Sequence, residues 1–338
     1  MQWLDALYKT GLSIRKIIYS SELKKRHKLD SRVISVGNLT MGGTGKTPAT
    51  IAIAREAIAR GYKPCILTRG YKGKHKGVAF VSRGKGPLLD SSEAGDEPVL
   101  MANRLEDVFI VKGKNRYDAG LLCQDQVDLY ILDDGFQHWA LHRDIDILLI
   151  NSQNPFGSPN PRLFPSGQLR EPLTAIGRAD YVVITKSVEE SVSELMLVPE
   201  LMAIIRTHNK KAPVFKSYHK PVGLVDSNWN FYGLETIRGR RVYAFCGIAE
   251  PESFRKTLVS LGVEVVALKE FRDHYDYKQS DIKRILWEAR GMAMITTEKD
   301  LIRLVKFGLP PHLKALSIEF SISDKFYDAI LGRKTFKE

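Results

Sequence analysis

A glycine-rich segment at residues 35–48 carries the strongest chemical signal in the sequence. It reads Ser-Val-Gly-Asn-Leu-Thr-Met-Gly-Gly-Thr-Gly-Lys-Thr-Pro and follows an apolar run. Glycines let backbone N–H groups close around phosphate oxygens, and the start of a helix adds positive potential. Lys46 can then reach the β- and γ-phosphates of a nucleotide, and the Thr47 hydroxyl can bind Mg²⁺. The segment therefore predicts a P-loop that binds ATP.

One position departs from the general pattern G-x4-G-K-[ST], because Thr40 stands where the leading glycine is usual. Gly42 and Gly43 can supply the missing backbone freedom. We predict nucleotide contacts from the whole loop. Its residues are Thr40, Met41, Gly42, Gly43, Thr44, Gly45, Lys46 and Thr47.

A second signal is the pair Asp133 and Asp134, which directly follows the apolar run 129–132. A strand ending in two acids places carboxylates at the carboxyl edge of a sheet, where open α/β folds bind ligands. One of the two acids can hold Mg²⁺ directly or through water. Gln137 or His138 can orient the metal shell or the acceptor. The alternative is that the acids cap a following helix.

Three further clusters are polar and typical of turns. Residues 69–71 close another apolar run, residues 93–98 place three acids in a predicted short loop, and residues 167–172 follow a loop rich in Pro and Asn. His274 stands among acids later in the chain. Each cluster alone is more typical of a solvated loop, and His274 alone is more typical of an ordinary surface or core histidine.

Short apolar runs alternate with helical stretches, which indicates an α/β fold with a mostly parallel sheet. Strands are predicted at 32–36, 64–68, 108–111, 129–132, 145–150 and 181–185, with a helix at 47–60. A second unit has predicted strands at 241–246, 263–268 and 292–296 and helices at 251–261 and 280–290. We expect a P-loop NTPase-type sheet with helices on both faces, plus a smaller C-terminal α/β lobe.

The chain length predicts two domains. We expect an N-terminal amphipathic helix at 1–28, a P-loop kinase core at 29–213, a connector at 214–240 that resembles a small β ribbon, and a C-terminal lobe at 241–338. No run is long and apolar enough to predict a membrane-spanning helix, and no secretory signal is expected. Cys65, Cys123 and Cys246 show no metal-ligand spacing and are expected to be thiols in a reducing cytoplasm.

The first 28 residues combine an apolar helical face with a basic cluster. The face comprises Trp3, Leu4, Leu7, Gly11, Ile14 and Ile18, and the cluster comprises Lys24, Lys25, Arg26, His27 and Lys28. Such a helix suits a membrane interface. It is equally suited to packing on the protein's own core, and both interpretations stay open at this point.

The charge balance indicates a polyanionic partner. Lys and Arg number 51 against 39 Asp and Glu, which leaves a net charge of +12 at pH 7. Nucleic acid, anionic lipid and a phosphorylated substrate all fit this excess. The basic residues are not interleaved with aromatic ones as in proteins that bind single strands, which argues against nucleic acid.

Taken in order, these motifs resemble the tetraacyldisaccharide 4′-kinase family of lipid A biosynthesis. The matching segments are 36–48, 69–71 (Arg-Gly-Tyr), 94–98 (Ala-Gly-Asp-Glu-Pro), 133–138 (Asp-Asp-Gly-Phe-Gln-His), 169–172 (Leu-Arg-Glu-Pro), 245–249 (Phe-Cys-Gly-Ile-Ala) and 273–274 (Asp-His). An ordered set over most of the chain is far more specific than a P-loop alone. The threonine at position 40 is itself a feature of the family.

The resemblance implies a two-lobed enzyme that moves the γ-phosphate of ATP, with Mg²⁺, to the 4′-hydroxyl of a tetraacylated, 1-phosphorylated glucosamine disaccharide, giving lipid IVA. It also implies a peripheral protein that meets anionic lipids on the cytoplasmic face of the inner membrane of a Gram-negative bacterium.

The family's functional residues map onto this chain one by one. Asp96 and His274 match its catalytic dyad, and Lys46 its P-loop lysine. The implied metal-proximal residues are Thr47, Asp133, Asp134, Gln137 and Glu171, and the implied disaccharide-facing residues are Tyr71, Arg116 and Arg170.

Two other functions remain possible from the residues alone. One is a P-loop enzyme that phosphorylates or ligates a small soluble acid, in which case residues 1–28 pack on the protein itself. The other is a nucleic-acid-binding ATPase, suggested by the net charge of +12.

Overall fold

The computed structural model describes residues 2–21, 26–157, 161–187 and 192–332. Strands in this part of the chain are β1 (Arg32–Asn38), β2 (Pro64–Thr68), β3 (Ala79–Lys85), β4 (Glu106–Lys112), β5 (Leu129–Asp133), β6 (Ile145–Asn151), β7 (Tyr181–Thr185), β8 (Val214–Val225), β9 (Phe231–Tyr232), β10 (Arg241–Cys246), β11 (Glu264–Glu270), β12 (Ala293–Thr297) and β13 (Leu313–Ile322). Its α-helices are α1 (Gln2–Ser20), α2 (Lys46–Ala59), α3 (Ser91–Ala94), α4 (Asp96–Arg104), α5 (Arg116–Leu121), α6 (Val192–His208), α7 (Pro251–Ser260), α8 (Gln279–Ala289), α9 (Glu298–Leu304) and α10 (Asp324–Leu331).

All thirteen strands belong to one sheet. Its order is β11-β10-β12-β13-β8-β7-β6-β1-β5-β2-β4-β3, with β9 paired to β8. Pairing is parallel except where β3 meets β4 and where β8 meets β13 and β9. The expected α/β fold with a mostly parallel sheet is confirmed.

Strand β8 links the two halves of this sheet. Its first residues pair in parallel with β7, and residues 217–225 pair antiparallel with β13. A short antiparallel pairing with β9 follows, so residues 214–240 do contain β structure. The division into an N-terminal helix, a core, a connector and a C-terminal lobe stays a prediction.

The central strands are buried on both faces because helices cover each side. Ile34 and Val36 of β1 pack with Ile53 of α2 in one apolar cluster. Val33 points to the opposite face and packs with Tyr130 in another. Alternating side chains of one strand thus enter two cores. The three cysteines are free and buried.

Most of the predicted elements are present with nearly the predicted ends. The strands at 64–68, 181–185 and 241–246 match residue for residue, and the first P-loop-domain helix begins one residue earlier than predicted. The edge strand β3 and helices α4, α5 and α9 were not predicted.

The prediction of a short acidic loop at 93–98 is wrong. Glu93 belongs to α3, and Asp96 and Glu97 form the first turn of α4. Gly95, at φ 93°, separates the two helices with a backbone conformation that other residues rarely adopt. Acids in a first turn are stabilised by the helix dipole, so this acidic cluster begins a helix.

Helix α1 packs one side against the P-loop half. The Tyr8 hydroxyl donates to the Arg170 carbonyl at 2.9 Å, and Leu12 contacts the apolar cluster there. Ile14 and Ile17 are 52% and 59% exposed. Self-packing is therefore confirmed for one side, while apolar side chains remain exposed on another.

Other parts of the N-terminal prediction fall on side chains outside the described residues, among them those of Trp3, Leu4, Leu7, Lys24 and Lys25. In the portion of the chain that is described, every helix is too short or too polar to cross a membrane.

Candidate active site

The carboxyl ends of neighbouring parallel strands bring the predicted site residues to one edge of the sheet. Strand β1 runs into the P-loop, and its neighbour β5 ends at Asp133, which lies opposite Val36 in the register. Strand β2, next to β5, leads to residues 69–71. This arrangement follows from the topology, since parallel neighbours end at the same edge.

Two hydrogen bonds to Thr44 hold the P-loop in place. The Asn38 side chain donates to the Thr44 hydroxyl at 2.8 Å, and the Thr185 hydroxyl donates to the Thr44 carbonyl at 2.9 Å. Gly45, at φ 82°, precedes the first residue of α2. Gly42 has φ 109°, whereas Thr40 is not in the left-handed region. Gly42 therefore supplies the backbone freedom that was expected because Thr40 replaces the usual leading glycine.

Lys46, the first residue of α2, forms an ion pair with Asp134. Their charged groups lie 3.5 Å apart, and Arg170 donates to both Asp134 carboxylate oxygens at 3.0 and 2.9 Å. Burial alone would raise the pKa of Asp134, but the charges of Lys46 and Arg170 outweigh it and lower that pKa. Asp134 is therefore ionised at neutral pH. In the sequence-based alternative the two acids cap a helix, but residues 134–140 form turns and irregular structure instead of a helix.

Asp133 is buried beside Asp134 and accepts a hydrogen bond from the Thr68 hydroxyl at 3.0 Å. Burial, together with the negative charges of Glu97 and Asp134, raises the pKa of Asp133 to about 7. Two adjacent carboxylates beside the P-loop lysine fit a hard divalent cation. Within the described residues, no cluster of three or more His, Cys, Asp or Glu side chains is placed to hold a metal. A magnesium ion here would therefore take other ligands from phosphate and water.

Gln137 and Glu171 form a polar layer next to the end of β1. The Gln137 amide donates to the Asn38 carbonyl at 2.8 Å and to Glu171 at 3.1 Å. Arg178 donates to both oxygens of Glu171, at 2.7 and 3.0 Å. Glu171 is thus a buried, charge-paired carboxylate in this structure.

Asp96 and His274 are in contact although 178 positions separate them. The distance from His274 Nδ1 to Asp96 Oδ2 is 3.2 Å. Arg303 joins the pair: its Nε donates to the same Asp96 oxygen at 2.7 Å, and its Nη2 lies 3.2 Å from His274 Nδ1. Burial works to raise the pKa of Asp96, but the hydrogen bond from His274 and the charge of Arg303 prevail and lower it.

A fully buried carboxylate orients Arg303. Asp300 accepts from Arg303 at 3.1 Å and from the Gly247 N–H at 3.1 and 3.0 Å. The Gly247 carbonyl in turn accepts from the backbone N–H of His274 at 3.2 Å. The same carboxylate therefore positions both the arginine and the histidine. Arg303 was not among the residues predicted from the sequence. The only local pattern that could have indicated its role is its position three residues after Asp300, and such pairs are common on helices.

Helices α4 and α9 hold the two halves of the chain together at this point. Besides Asp96–Arg303, the ion pairs Glu97–Lys299 (2.8 Å) and Arg104–Glu298 (2.6 Å) cross between them. The charge of Lys299 is the main cause of a lowered pKa at Glu97, to which Lys46 and Asp134 are also electrostatically close. The dyad therefore stands beside the P-loop lysine and the acid pair.

The three residues expected to face an acceptor lie in different environments. Tyr71 is 59% exposed, with its ring edge-on to His274 at a centroid distance of 6.1 Å. Arg170 is partly exposed and forms an ion pair with Asp134. Arg116 is only 4% exposed, and it donates to the carbonyls of Gly113 and Lys114. Burial lowers the pKa of Arg116 to about 10, against the opposing charges of Asp133 and Asp134.

A P-loop lysine, an acid pair on the adjacent strand and an ionised carboxylate with a histidine partner define a P-loop kinase. The model of one kinase family, tetraacyldisaccharide-1-P 4′-kinase, matches residues 1–335. The chain belongs to this family.

Curated relatives and a solved structure agree. The chain is 40% identical to the tetraacyldisaccharide 4′-kinase of Syntrophus aciditrophicus, over 95% of this chain and 88% of that protein. It is 38% identical to the enzyme of Desulfotalea psychrophila, over 97% and 94%. The crystal structure of LpxK from Aquifex aeolicus in complex with ATP is similar with a TM-score of 0.76 and 34% identity, covering 97% of this chain and 96% of that one.

Family membership confirms the resemblance seen in the motifs and the enzyme class expected from them. It also favours a kinase of a lipid disaccharide over the two other functions considered, a kinase or ligase of a small soluble acid and a nucleic-acid-binding ATPase.

Proposed function

We propose that this chain transfers the γ-phosphate of ATP to the 4′-hydroxyl of a tetraacylated, 1-phosphorylated glucosamine disaccharide, giving lipid IVA. The contact of Asp96 with His274, 3.2 Å apart beside the P-loop, is the observation that carries this proposal. In it, residues 29–213 and 241–338 act as two lobes joined by the connector 214–240, with residues 1–28 as a membrane-interface helix.

On the acceptor side, the ionised Asp96 takes the proton of the sugar hydroxyl. The hydroxyl oxygen attacks the γ-phosphorus, the bond to the β–γ bridging oxygen breaks, and ADP leaves with the electron pair. His274 and Arg303 hold the Asp96 carboxylate in place, which suits general-base catalysis because a weak base gains most from exact positioning.

On the phosphate side, Lys46 contacts the β- and γ-phosphates, and the P-loop N–H groups of residues 40–47 hold them. Thr47 with Asp133 or Asp134 would hold Mg²⁺, while Gln137 and Glu171 support this layer. Mg²⁺, when bound, neutralises the charge that develops on the phosphate oxygens. Burial and, after it, the negative charges of Glu97 and Asp134 raise the pKa of Asp133 to about 7, and a bound cation would offset that negative charge.

Tyr71, Arg170 and Arg116 are proposed to face the disaccharide. Tyr71 fits best, since it is exposed and its ring adjoins His274. Arg170 can contact an acceptor from its place on Asp134. The buried Arg116 acts in this proposal mainly by offsetting the charge of the two acids.

We further propose that the enzyme works at an anionic membrane surface, on the cytoplasmic face of the inner membrane of a Gram-negative bacterium. The exposed Ile14 and Ile17 on α1 and the net charge of +12 support this. The test is sedimentation with anionic vesicles of the double variant Ile14→Gln/Ile17→Gln. Binding should fall, whereas the matched change Val259→Gln/Val305→Gln, at exposed positions elsewhere, should leave it intact.

The activity test is incubation with γ-labelled ATP and a total lipid extract from a lipid A-producing bacterium. Label should partition with the lipids, and an Asp96→Asn variant that still binds ATP should give none. Label released only as free phosphate, or transferred only to a water-soluble product, would refute the proposed substrate.

A further inference from the structure

Two chain segments carry residues of the acceptor side. Residues 69–75, which follow β2, include Tyr71, and we call them the acceptor loop. Residues 92–96, which contain the end of α3 and the start of α4, include Asp96, and we call them the base segment. In the proposed function Tyr71 faces the disaccharide and Asp96 takes the proton of its hydroxyl. The placement of one segment against the other therefore determines where the sugar stands relative to its base.

The two segments contact each other through their backbones. The Lys74 N–H donates to the Ser92 carbonyl at 2.8 Å, and the His75 N–H donates to the Glu93 carbonyl at 3.2 Å. A Cβ added at Gly73 would lie 2.4 Å from the Glu93 carbonyl oxygen, closer than real Cβ atoms come to a neighbour. The lack of a side chain at position 73 thus allows the acceptor loop to reach the base segment.

Lys112, the last residue of β4, contacts both segments at once. Its ammonium donates to the His75 carbonyl at 2.9 Å and to the Glu93 carbonyl at 2.8 Å. Lys112 is only 2% exposed, and its stem packs on the loop, because a Cβ added at Gly70 would lie 3.0 Å from Lys112 Cε. Lysine is almost never buried so fully without partners, and hydrogen bonds from an ammonium are stronger than neutral ones. One buried cation thus holds the acceptor loop against the base segment.

The sheet gives this contact a fixed base. Lys112 lies opposite Thr68 in the parallel register of β4 with β2, and the acceptor loop begins at the next residue after Thr68. The backbone ladder therefore fixes the start of the loop, and the Lys112 ammonium fixes its far end at His75. Without that ammonium, the hydrogen bonds to Ser92 and Glu93 alone remain to hold the loop on the base segment.

We propose that Lys112 is a positioning residue for phosphoryl transfer, because it sets the place of Tyr71 relative to Asp96. This rests on the proposed function, which assigns Tyr71 to the disaccharide and Asp96 to the proton. Lys112 itself contacts neither ATP nor the reacting hydroxyl, so ATP affinity does not depend on it. A misplacement of about 1 Å between a substrate and its base can lower a rate about a hundredfold, and loss of the Lys112 contacts therefore reaches the chemical step.

The kinetic experiment compares Lys112→Met with wild type at varied concentrations of the purified disaccharide lipid and saturating ATP. Methionine fills the same space but donates no hydrogen bond. We expect kcat/KM for the lipid to fall about thirtyfold, with the Kd for ATP within about twofold of wild type. Arg206→Met is the matched control. Arg206, at the end of α6, also donates to backbone carbonyls, those of Lys210 and Ala212, at 3.3 and 2.8 Å, and its loss should leave kcat/KM unchanged.

Limited digestion with trypsin tests the same contact without any activity. The exposed cleavage sites in and beside the acceptor loop are Lys72, Lys74 and Lys76. Lys112→Met should be cut there about tenfold faster than wild type, because cleavage follows the population of the opened loop. Arg206→Met should be cut there at the wild-type rate.

Gly73→Ala is a second variant that leaves Lys112 intact. Gly73 lies outside the left-handed region, so alanine there conflicts with the contacts of the Cβ and not with the backbone conformation. The nearest atoms to that Cβ all belong to residues 93 and 94, and the loop must move away from the base segment. We expect the same faster cleavage and the same selective loss of kcat/KM for the lipid.

Two outcomes overturn the positioning role of Lys112. One is a wild-type rate of loop cleavage in Lys112→Met, and the other is faster cleavage with a kcat/KM for the lipid no lower than in Arg206→Met. If wild type labels lipid and either outcome is found, the proposed function stands and the role of Lys112 is lost. If wild type labels no lipid, the proposed function fails and takes the positioning role with it, whatever the rate of cleavage.

Discussion

The residues around the P-loop and those around Asp96 meet at one edge of the sheet, but different interactions hold them there. Asp133 is the last residue of β5, and the P-loop that carries Lys46 follows the neighbouring strand β1, so the backbone ladder between β1 and β5 places both segments at the same edge. Asp96 comes from α4, which is not part of the sheet, and its side chain meets the side chains of His274 and Arg303.

This difference determines how each side should respond to substitution. A backbone ladder survives the loss of one side chain, so residues on the phosphate side keep their places when a neighbour changes. On the acceptor side, removing Asp96, His274 or Arg303 leaves a half-buried charge or ring of another residue without its partner. We therefore expect independent losses on the phosphate side and strongly coupled losses on the acceptor side.

The largest effect is expected from the dyad. Asp96→Ala and His274→Ala should each lower kcat by about three orders of magnitude, and the double variant should be little worse than the poorer single one, because groups acting as a unit are non-additive. The measurement is a double-mutant cycle on kcat, with ATP binding retained in Asp96→Ala as the control. If the two losses multiply, the residues act independently; a nearly silent His274→Ala would return that histidine to an ordinary structural role.

Lys46→Ala should lower kcat by about two orders of magnitude or more, since the lost charge matters most as the γ-phosphoryl group leaves. The contacts of Asp96 with His274 and Arg303 do not involve Lys46 and should persist. Steady-state kinetics at saturating ATP measure the effect. A variant with near-normal kcat under those conditions would rule out the P-loop lysine role.

Arg303→Ala should lower kcat by about tenfold to a hundredfold with little change in the KM for ATP, because Arg303 contacts both members of the dyad and lies off the P-loop. Arg303→Lys should recover only part of the loss, since one ammonium cannot reproduce the two-sided contact. Arg104→Ala is the matched control: it breaks another α4–α9 ion pair without touching the dyad. Equal losses in both alanine variants would reduce Arg303 to an interface residue.

The smallest effect concerns pH and stability. The pKa of Asp133 is raised to about 7, so the folded chain keeps a proton that the unfolded chain loses near pH 4, and stability falls as pH rises between these values. Without nucleotide or Mg²⁺, Asp133→Asn should be more stable than wild type by about 1–2 kcal/mol at pH 8, and the gain should vanish near pH 4.5.

Asp134→Asn is the control, because we expect it to change the stability in the opposite direction. Thermal unfolding measures the stability of both variants. Burial acts to raise the pKa of Asp134, but the charges of Lys46 and Arg170 outweigh it and lower that pKa. The charged form of Asp134 therefore stabilises the fold above the pKa of the unfolded state, and this stabilisation is lost as the pH falls. Asp134→Asn should thus destabilise the chain at pH 8. Both variants shifting in the same direction would contradict the assigned pKa directions.

Local sequence predicted the strands and the phosphate side well. The runs 64–68, 181–185 and 241–246 are strands with those ends, because a central strand must be apolar and short, and turn residues bound it. The acidic run at 93–98 was misplaced as a loop because Asp and Glu favour both loops and the first turn of a helix. Only packing of α4 against α9 distinguishes these environments.

The sequence by itself determined the P-loop, the acid pair after β5 and the alternation of strands and helices, since each depends on hydrogen bonds and burial within a few residues. Family resemblance, and no local pattern, paired Asp96 with His274. The tertiary structure decided that Arg303 and Asp300 hold this pair. These contacts depend on how β8 joins the two halves of one sheet. Such placement is a sum of packing interactions across the whole chain, and no short segment encodes it.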